Sequence, residues 1–292
     1  MVQCRRAQGD PEGQLGVGVA YHQGLGVAVD YVKAFAFFLK AARQGQVNAE
    51  FNVGSYYDSG TGVEADCASA EEWYRRAAQQ EFRDAMFSLG WLAEKCGHPE
   101  QKAEWWQKAA EHGHGAAAAN LGMLFRDGDG VPQDRQEAFR WFLKGADMGF
   151  AGAEGAVGFA YQSGSGVATD YEQAAKWLRL AAAKKDPVSL CNLGNSYDKG
   201  WGVPHDEREA LGLFLESANL GVGQAQFNLG VYYREGQGTE RDPLSSYFWF
   251  SVAAREQFPL AQNRADTMRK LLTPAQIAEA DRRLAQWKPE TP

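Results

Sequence analysis

The chain is short of proline and shorter still of cysteine: 10 and 4 of its 292 residues. The four cysteines (Cys4, Cys67, Cys96, Cys191) lie far apart with no paired spacing, so no disulfide framework is expected. No stretch reaches the ~20 uninterrupted apolar residues of a membrane-spanning helix, which argues against membrane insertion. The opening MVQCRRAQGDPEG has no apolar core and does not read as a secretory signal peptide. Positive charge is not in surplus either, with 30 Lys+Arg against 37 Asp+Glu and a net charge of −7. That balance excludes a typical nucleic-acid binder, whose affinity rests on cations facing phosphate, and a polybasic membrane-surface protein. What the chain has in excess is glycine, 33 residues, alongside a 45% hydrophobic fraction that can fill a core.

The glycines are periodic. The pattern apolar-Gly-x-x-aromatic-x-x-Gly-x-Gly-Val, then Asp, places its first glycine at Gly18, Gly54, Gly90, Gly122, Gly158, Gly194 and Gly230. The step is 36 residues except between Gly90 and Gly122, where it is 32. Three positions on stand Tyr21, Tyr57, Ala93, Phe125, Tyr161, Tyr197 and Tyr233. Paired glycines follow in six copies (24/26, 60/62, 128/130, 164/166, 200/202, 236/238), and then Asp30, Asp66, Asp134, Asp170, Asp206 and Asp242. A fixed period of this length is the mark of a repeat architecture.

One copy spells a helical hairpin. Ala49, Val53, Gly54 and Tyr57 share a face of a first helix. A glycine inside a helix costs about 1 kcal/mol against alanine, so its recurrence calls for close approach of a partner helix. Gly60 and Gly62 end that helix, and Asp66 is a fitting N-cap for the second. Ala70, Trp73, Ala77 and Ala78 form the second helix's buried stripe, with Phe37, Trp141, Trp177 and Trp249 in the same aromatic slot. Gly45, Gly149 and Gly221 mark its C-terminus. Small residues with one large aromatic per hairpin let successive hairpins nest.

The 36-residue period, the Gly-x-Gly-Val turn and the Lys33-Ala34-x-x-Phe37 second helix resemble the Sel-1-like repeat family, a bacterial tetratricopeptide-like type. Tetratricopeptide repeats have a 34-residue period and lack the glycine turn. The resemblance implies an all-α, right-handed α/α superhelix of seven hairpins (10–45, 46–81, 82–113, 114–149, 150–185, 186–221, 222–257) plus a C-terminal cap and tail over 258–292. Thr273 and Pro274 begin the closing helix, whose Asp281, Arg282 and Arg283 are expected to face water. Residues 1–9 align with the last turn of a second helix whose start is missing, so the N-terminus reads as truncated and the compartment, bacterial periplasm or cytoplasm, stays open.

Catalytic and metal motifs fare poorly. Cys96, His98, His112 and His114 flank a helix running from about Pro99 to Glu111, roughly 18 Å long, too far for one ion. Ser196-x-x-Lys199 matches the nucleophile motif of penicillin-recognising enzymes but lacks its Lys-Thr-Gly companion. Cysteine-rich members of the family are associated with β-lactam binding; their regular cysteine pairs are missing here, and a β-lactam-binding or hydrolysing enzyme is the alternative reading. The glycine turns do not continue as phosphate-binding loops, and each is followed by an aspartate that repels phosphate. No cofactor, metal or catalytic residue is expected.

The expected function is protein binding, by a monomer, in a concave groove lined by first helices. Counting from the motif glycine, positions −3, +1 and +4 are assigned to that groove. They supply the candidate partner-binding residues Phe51, Phe87, Trp91, Glu94, Met123, Arg126, Phe159, Gln162, Asn195, Asp198, Phe227 and Arg234. Phe87, Trp91, Met123 and Phe159 either form an apolar recognition patch or pack against the next repeat. The mixed charges (Glu94 beside Lys95, Arg126 beside Asp127, Asp198 beside Lys199) suit a polypeptide better than a polyanion. The resemblance implies roles in scaffolding, signalling regulation, envelope assembly, or immunity against a secreted effector. The third copy, with Cys96-Gly97-His98-Pro99 in place of the glycine turn, either kinks the groove or is a neutral loop change. Trp201 is either an exposed contact or a shield for its own turn.

Overall fold

The computed structural model describes residues 9–290, and the truncated-helix expectation for the first residues lies almost wholly outside them. Among the described residues the regular structure is helical throughout, sixteen α-helices and one 3₁₀ turn. They form two units, divided between Asp134 and Arg135. The first holds α1 (Pro11–Gln23), α2 (Tyr31–Ala42), α3 (Val47–Ser59), α4 (Cys67–Gln79), α5 (Arg83–Lys95), a 3₁₀ turn (Pro99–Gln101), α6 (Lys102–Glu111) and α7 (Gly115–Asp127). The second holds α8 (Arg135–Asp147), α9 (Ala151–Ser163), α10 (Tyr171–Ala183), α11 (Pro187–Lys199), α12 (Glu207–Asn219), α13 (Gly223–Glu235), α14 (Pro243–Arg255), α15 (Ala261–Arg269) and α16 (Pro274–Gln286).

Within each unit consecutive helices pack as hairpins, and hairpin packs on hairpin. The motif glycine makes this possible. A methyl added at Gly54 would lie 2.6 Å from the Tyr74 ring; the same crowding sets Gly18 against Phe38, Gly194 against Phe214 and Gly230 against Phe250. The aromatic touching the glycine therefore stands one residue beyond the expected slot. Phe37, Trp141 and Trp177 are half-buried at the hairpin's flank, Phe37 stacking on Tyr21, because one residue is about 100° of helix rotation. Buried alanines (Ala34, Ala41 and Ala49 in the first unit; Ala210, Ala218 and Ala225 in the second) let the backbones close on these rings.

The turns are equally regular. The N–H of Asp66 donates to the carbonyl of Tyr57 (3.0 Å), and the pattern repeats from Asp30 to Tyr21, Asp170 to Tyr161, Asp206 to Tyr197 and Asp242 to Tyr233. Each of these aspartates then caps its second helix by accepting from first-turn amides. In the third hairpin the same closing bond runs from His98 N–H to Ala93 (2.7 Å), five positions instead of nine, so the missing four residues come out of this turn alone. The second helix there starts as a 3₁₀ turn and becomes α-helical only at Lys102, later than expected, because no aspartate caps it.

Each hairpin ends on a left-handed residue: Gly45, Gly149 and Gly221 as expected, but Glu81 and Lys185 at the equivalent places in other copies. At the C-terminus Thr273 and Gln276 form a capping box. The apolar side of α16 covers the last hairpin, Leu284 against Phe248 and Trp249, while Asp281, Arg282 and Arg283 are exposed.

Candidate protein-binding face of the first helices

Position +1 carries the exposed apolar side chains. Trp91 is 49% exposed, Met123 40% and, in the second unit, Phe159 49%. Trp91 is nonetheless held. Its ring meets Phe87 edge-on at 6.3 Å and Trp106 at 5.0 Å, and Trp106 is itself buried with its indole N–H donating to the Phe87 carbonyl (3.2 Å). Phe87 stacks on His114 at 4.3 Å. Burial, together with the Arg83 charge, pulls the His114 pKa below its ordinary value despite nearby Asp84, which favours an uncharged stack at neutral pH.

Position −3 packs against the partner helices. Phe51 lies half-buried against Tyr74 and Phe82, Phe87 against Trp106 and His114, and Phe227 against Phe250 and Phe258. Cys191 at the same place is buried. Phe51, Phe87 and Phe227 therefore keep part of their surface in solvent while their rings pack on neighbouring aromatics.

The polar candidates divide by unit. In the first, Glu94 and Arg126 are exposed, Glu94 3.3 Å from the buried Lys102 and Arg126 paired with Asp127. In the second, Gln162 donates to Ser196 (3.4 Å), Asn195 accepts from Asn228 (3.2 Å) and Asp198 accepts from Tyr232 (2.5 Å). These residues each tie one hairpin to the next through a side-chain hydrogen bond. Arg234 pairs with Glu235 on its own helix.

The chemistry set aside in the sequence also has definite places. The Ser196 hydroxyl is buried and donates to the Asn192 carbonyl, while Lys199 pairs with Asp198. His112 and His114 cap opposite helix ends, and no group of three His, Cys, Asp or Glu side chains among the described residues could hold a metal ion. No helix among them is long and apolar enough to cross a membrane. Trp201 stacks on Tyr171 of the preceding hairpin, centroids 5.2 Å apart. One expectation is overturned outright: Cys67 and Cys96 form a disulfide, with Cα atoms 6.1 Å apart. Spacing could not show it, because the hairpin seam, not the chain, brings them together.

The Sel1 repeat model matches residues 11–46, 47–82, 103–114, 115–150, 152–186, 187–222 and 223–258. The chain belongs to the Sel1 repeat family. Its shortened third Sel1 repeat is matched only over the second helix, as expected where the turn is lost. Among solved structures, a Sel1 repeat protein from Oxalobacter formigenes is 28% identical, with a TM-score of 0.74 over 91% of this chain and 78% of that one. A protective antigen of uropathogenic Escherichia coli with an SLR fold is 26% identical over 96% of this chain and 76% of that one, TM-score 0.42. An immunity protein from Pseudomonas aeruginosa is 16% identical over 85% and 83%, TM-score 0.44. The last two superpose too loosely to carry an argument. Comparison with curated proteins found no match. Sel1 repeat proteins are α-solenoids and typically serve as non-enzymatic interaction scaffolds.

Proposed function

We propose that this Sel1 repeat chain is a non-enzymatic module that binds a polypeptide through its first helices, with Trp91 as the principal anchor. The observation that carries this reading is a large aromatic half in solvent yet fixed by Phe87 and Trp106. An immobilised tryptophan loses little entropy on binding, the condition under which one residue dominates an interface. Met123, at the equivalent place on α7, adds an adaptable apolar contact, and exposed Glu94 and Arg126 supply a polar rim. Phe159 offers a corresponding contact in the second unit.

Peptides selected from a displayed random library on the wild-type protein provide the test. Trp91→Ala is expected to weaken their binding by at least about tenfold, with helicity unchanged by circular dichroism. Met123→Ala should weaken it less. Selected peptides that bind Trp91→Ala as tightly as wild type would remove Trp91 from the interface and this reading with it.

A further inference from the structure

In the second, fifth, sixth and seventh hairpins the turn touches the preceding hairpin at one fixed place. A methyl added to Gly62 would come within 2.6 Å of the carbonyl carbon and oxygen of Tyr31, the first residue of α2. In the second unit Gly166 meets the Arg135 carbonyl, Gly202 that of Tyr171 and Gly238 that of Glu207, each the first residue of the preceding second helix. Only a residue without Cβ can sit so close to a backbone, and its left-handed φ reinforces the requirement.

The third hairpin has no such glycine, because its turn is the shortened one. The residue at the receiving place, first in α4, is Cys67, and facing it across the seam is Cys96, the C-cap of α5. We propose that the Cys67–Cys96 disulfide is the covalent replacement for the missing glycine seat. The third hairpin then docks fully on the second only once the chain has met an oxidising environment, and reduction loosens that seam selectively.

The surroundings fit a local effect. Asp58 and Lys95 pair at 2.6 Å, and Arg75 reaches Gln101 (3.4 Å) and the Trp105 ring. These contacts hold the hairpins together after reduction, so the chain stays folded while the turn end opens. Cys67 is exposed and Cys96 half-buried, which gives a reductant access. Cys191 is buried in the other unit and cannot compete for the bond. The next seam uses a third device: Gly130 has nothing near it, and Asp129 beside it instead holds Lys102 at 2.8 Å.

The test uses dithiothreitol on the aerobically purified protein. One dithiothreitol attacks the protein disulfide, closes into its own cyclic disulfide, and leaves Cys67 and Cys96 as thiols, a two-electron exchange. Hydrogen exchange should quicken at residues 67–70 and 92–101 and stay unchanged around Gly62 and in the second unit. The Tm should fall by about 5 °C or more, as expected for opening a loop of this size. Cys67→Ser and Cys96→Ser should show the same exchange pattern without reductant and no further response to it. The proposal is overturned if non-reducing peptide mapping finds Cys67 and Cys96 unlinked, if reduction changes neither exchange nor Tm, or if exchange rises evenly along the chain. The wild-type arm decides even if the serine variants fold poorly.

Discussion

The seam beneath the third hairpin and the seam beneath the sixth solve one problem with different chemistry. At the sixth, Gly202 rests on the Tyr171 backbone and Trp201 stacks on the Tyr171 ring, so the joint is made by shape. At the third, the turn is four residues shorter, that shape is lost, and a disulfide spans the place. A repeat protein tolerates loss of a consensus turn when the nearest-neighbour contact it provided is supplied in another way. The difference also reaches the surface. The same hairpin that needs a covalent seat presents Trp91, whereas the equivalent face of the sixth hairpin spends Asn195 and Asp198 on hydrogen bonds to Asn228 and Tyr232 of the seventh.

The comparison can be broken at its strongest point by filling a seat. Gly202→Ala forces a Cβ onto a carbonyl at positive φ and is expected to cost about 3 kcal/mol in urea unfolding, combining overpacking and left-handed strain. Gly130→Ala meets nothing within 4 Å and should cost only the strain, about 1 kcal/mol. Equal losses would mean that the turn glycines serve φ alone and that the seat has no energetic content.

Acid sharpens the contrast next. Asp198 lies partly buried, which by itself favours the neutral acid, but hydrogen bonds from Lys199 and Tyr232 outweigh this and hold its pKa below the ordinary carboxylate value. A lowered carboxylate stabilises the fold above its unfolded pKa and loses that contribution as pH falls through the folded value. The seam between the sixth and seventh hairpins should therefore weaken below about pH 4, seen as a steepening fall of Tm that Asp198→Asn abolishes. The Cys67–Cys96 bond itself has no such titration. An acid limb unchanged in Asp198→Asn would show that the bond to Tyr232 contributes nothing to the joint.

The smallest effect concerns hairpin ends. Lys185 holds a left-handed φ of 59° where other copies have Gly45, Gly149 and Gly221. Lys185→Gly relieves that strain at the expense of a more flexible unfolded chain, for a net gain of about 0.5 kcal/mol in chemical unfolding. A loss would indicate that the Lys185 side chain holds something the backbone argument omits.

Much of this fold is legible in one copy of the repeat. Asp66 as N-cap, Gly60 as helix stop and the motif glycine as a point of close approach all follow from local conformational rules. Neighbouring aromatics are harder to assign. Of Phe37 and Phe38, or Trp105 and Trp106, both are large and apolar, and only the packed helix phase decides which meets the glycine. Exposure along the first helices depends on the same phase: +1 is exposed at Trp91, Met123 and Phe159, while Phe51, Phe87 and Phe227 at −3 are half-buried against neighbouring aromatics. A signal for the disulfide was present, since superposing the copies places Cys67 on Tyr31 and Cys96 in the one turn without paired glycines. It becomes meaningful only when those two places are known to touch.

The amino-acid sequence alone determined the hairpins, their number and their punctuation, because helix starts, stops and apolar stripes depend on residues a few positions apart. Tertiary structure decided which aromatic fills each core, which polar groups are consumed in seams, and that Cys67 meets Cys96 across 29 positions. Those outcomes depend on the rotation and seating of one hairpin against another, a relation that no single repeat contains.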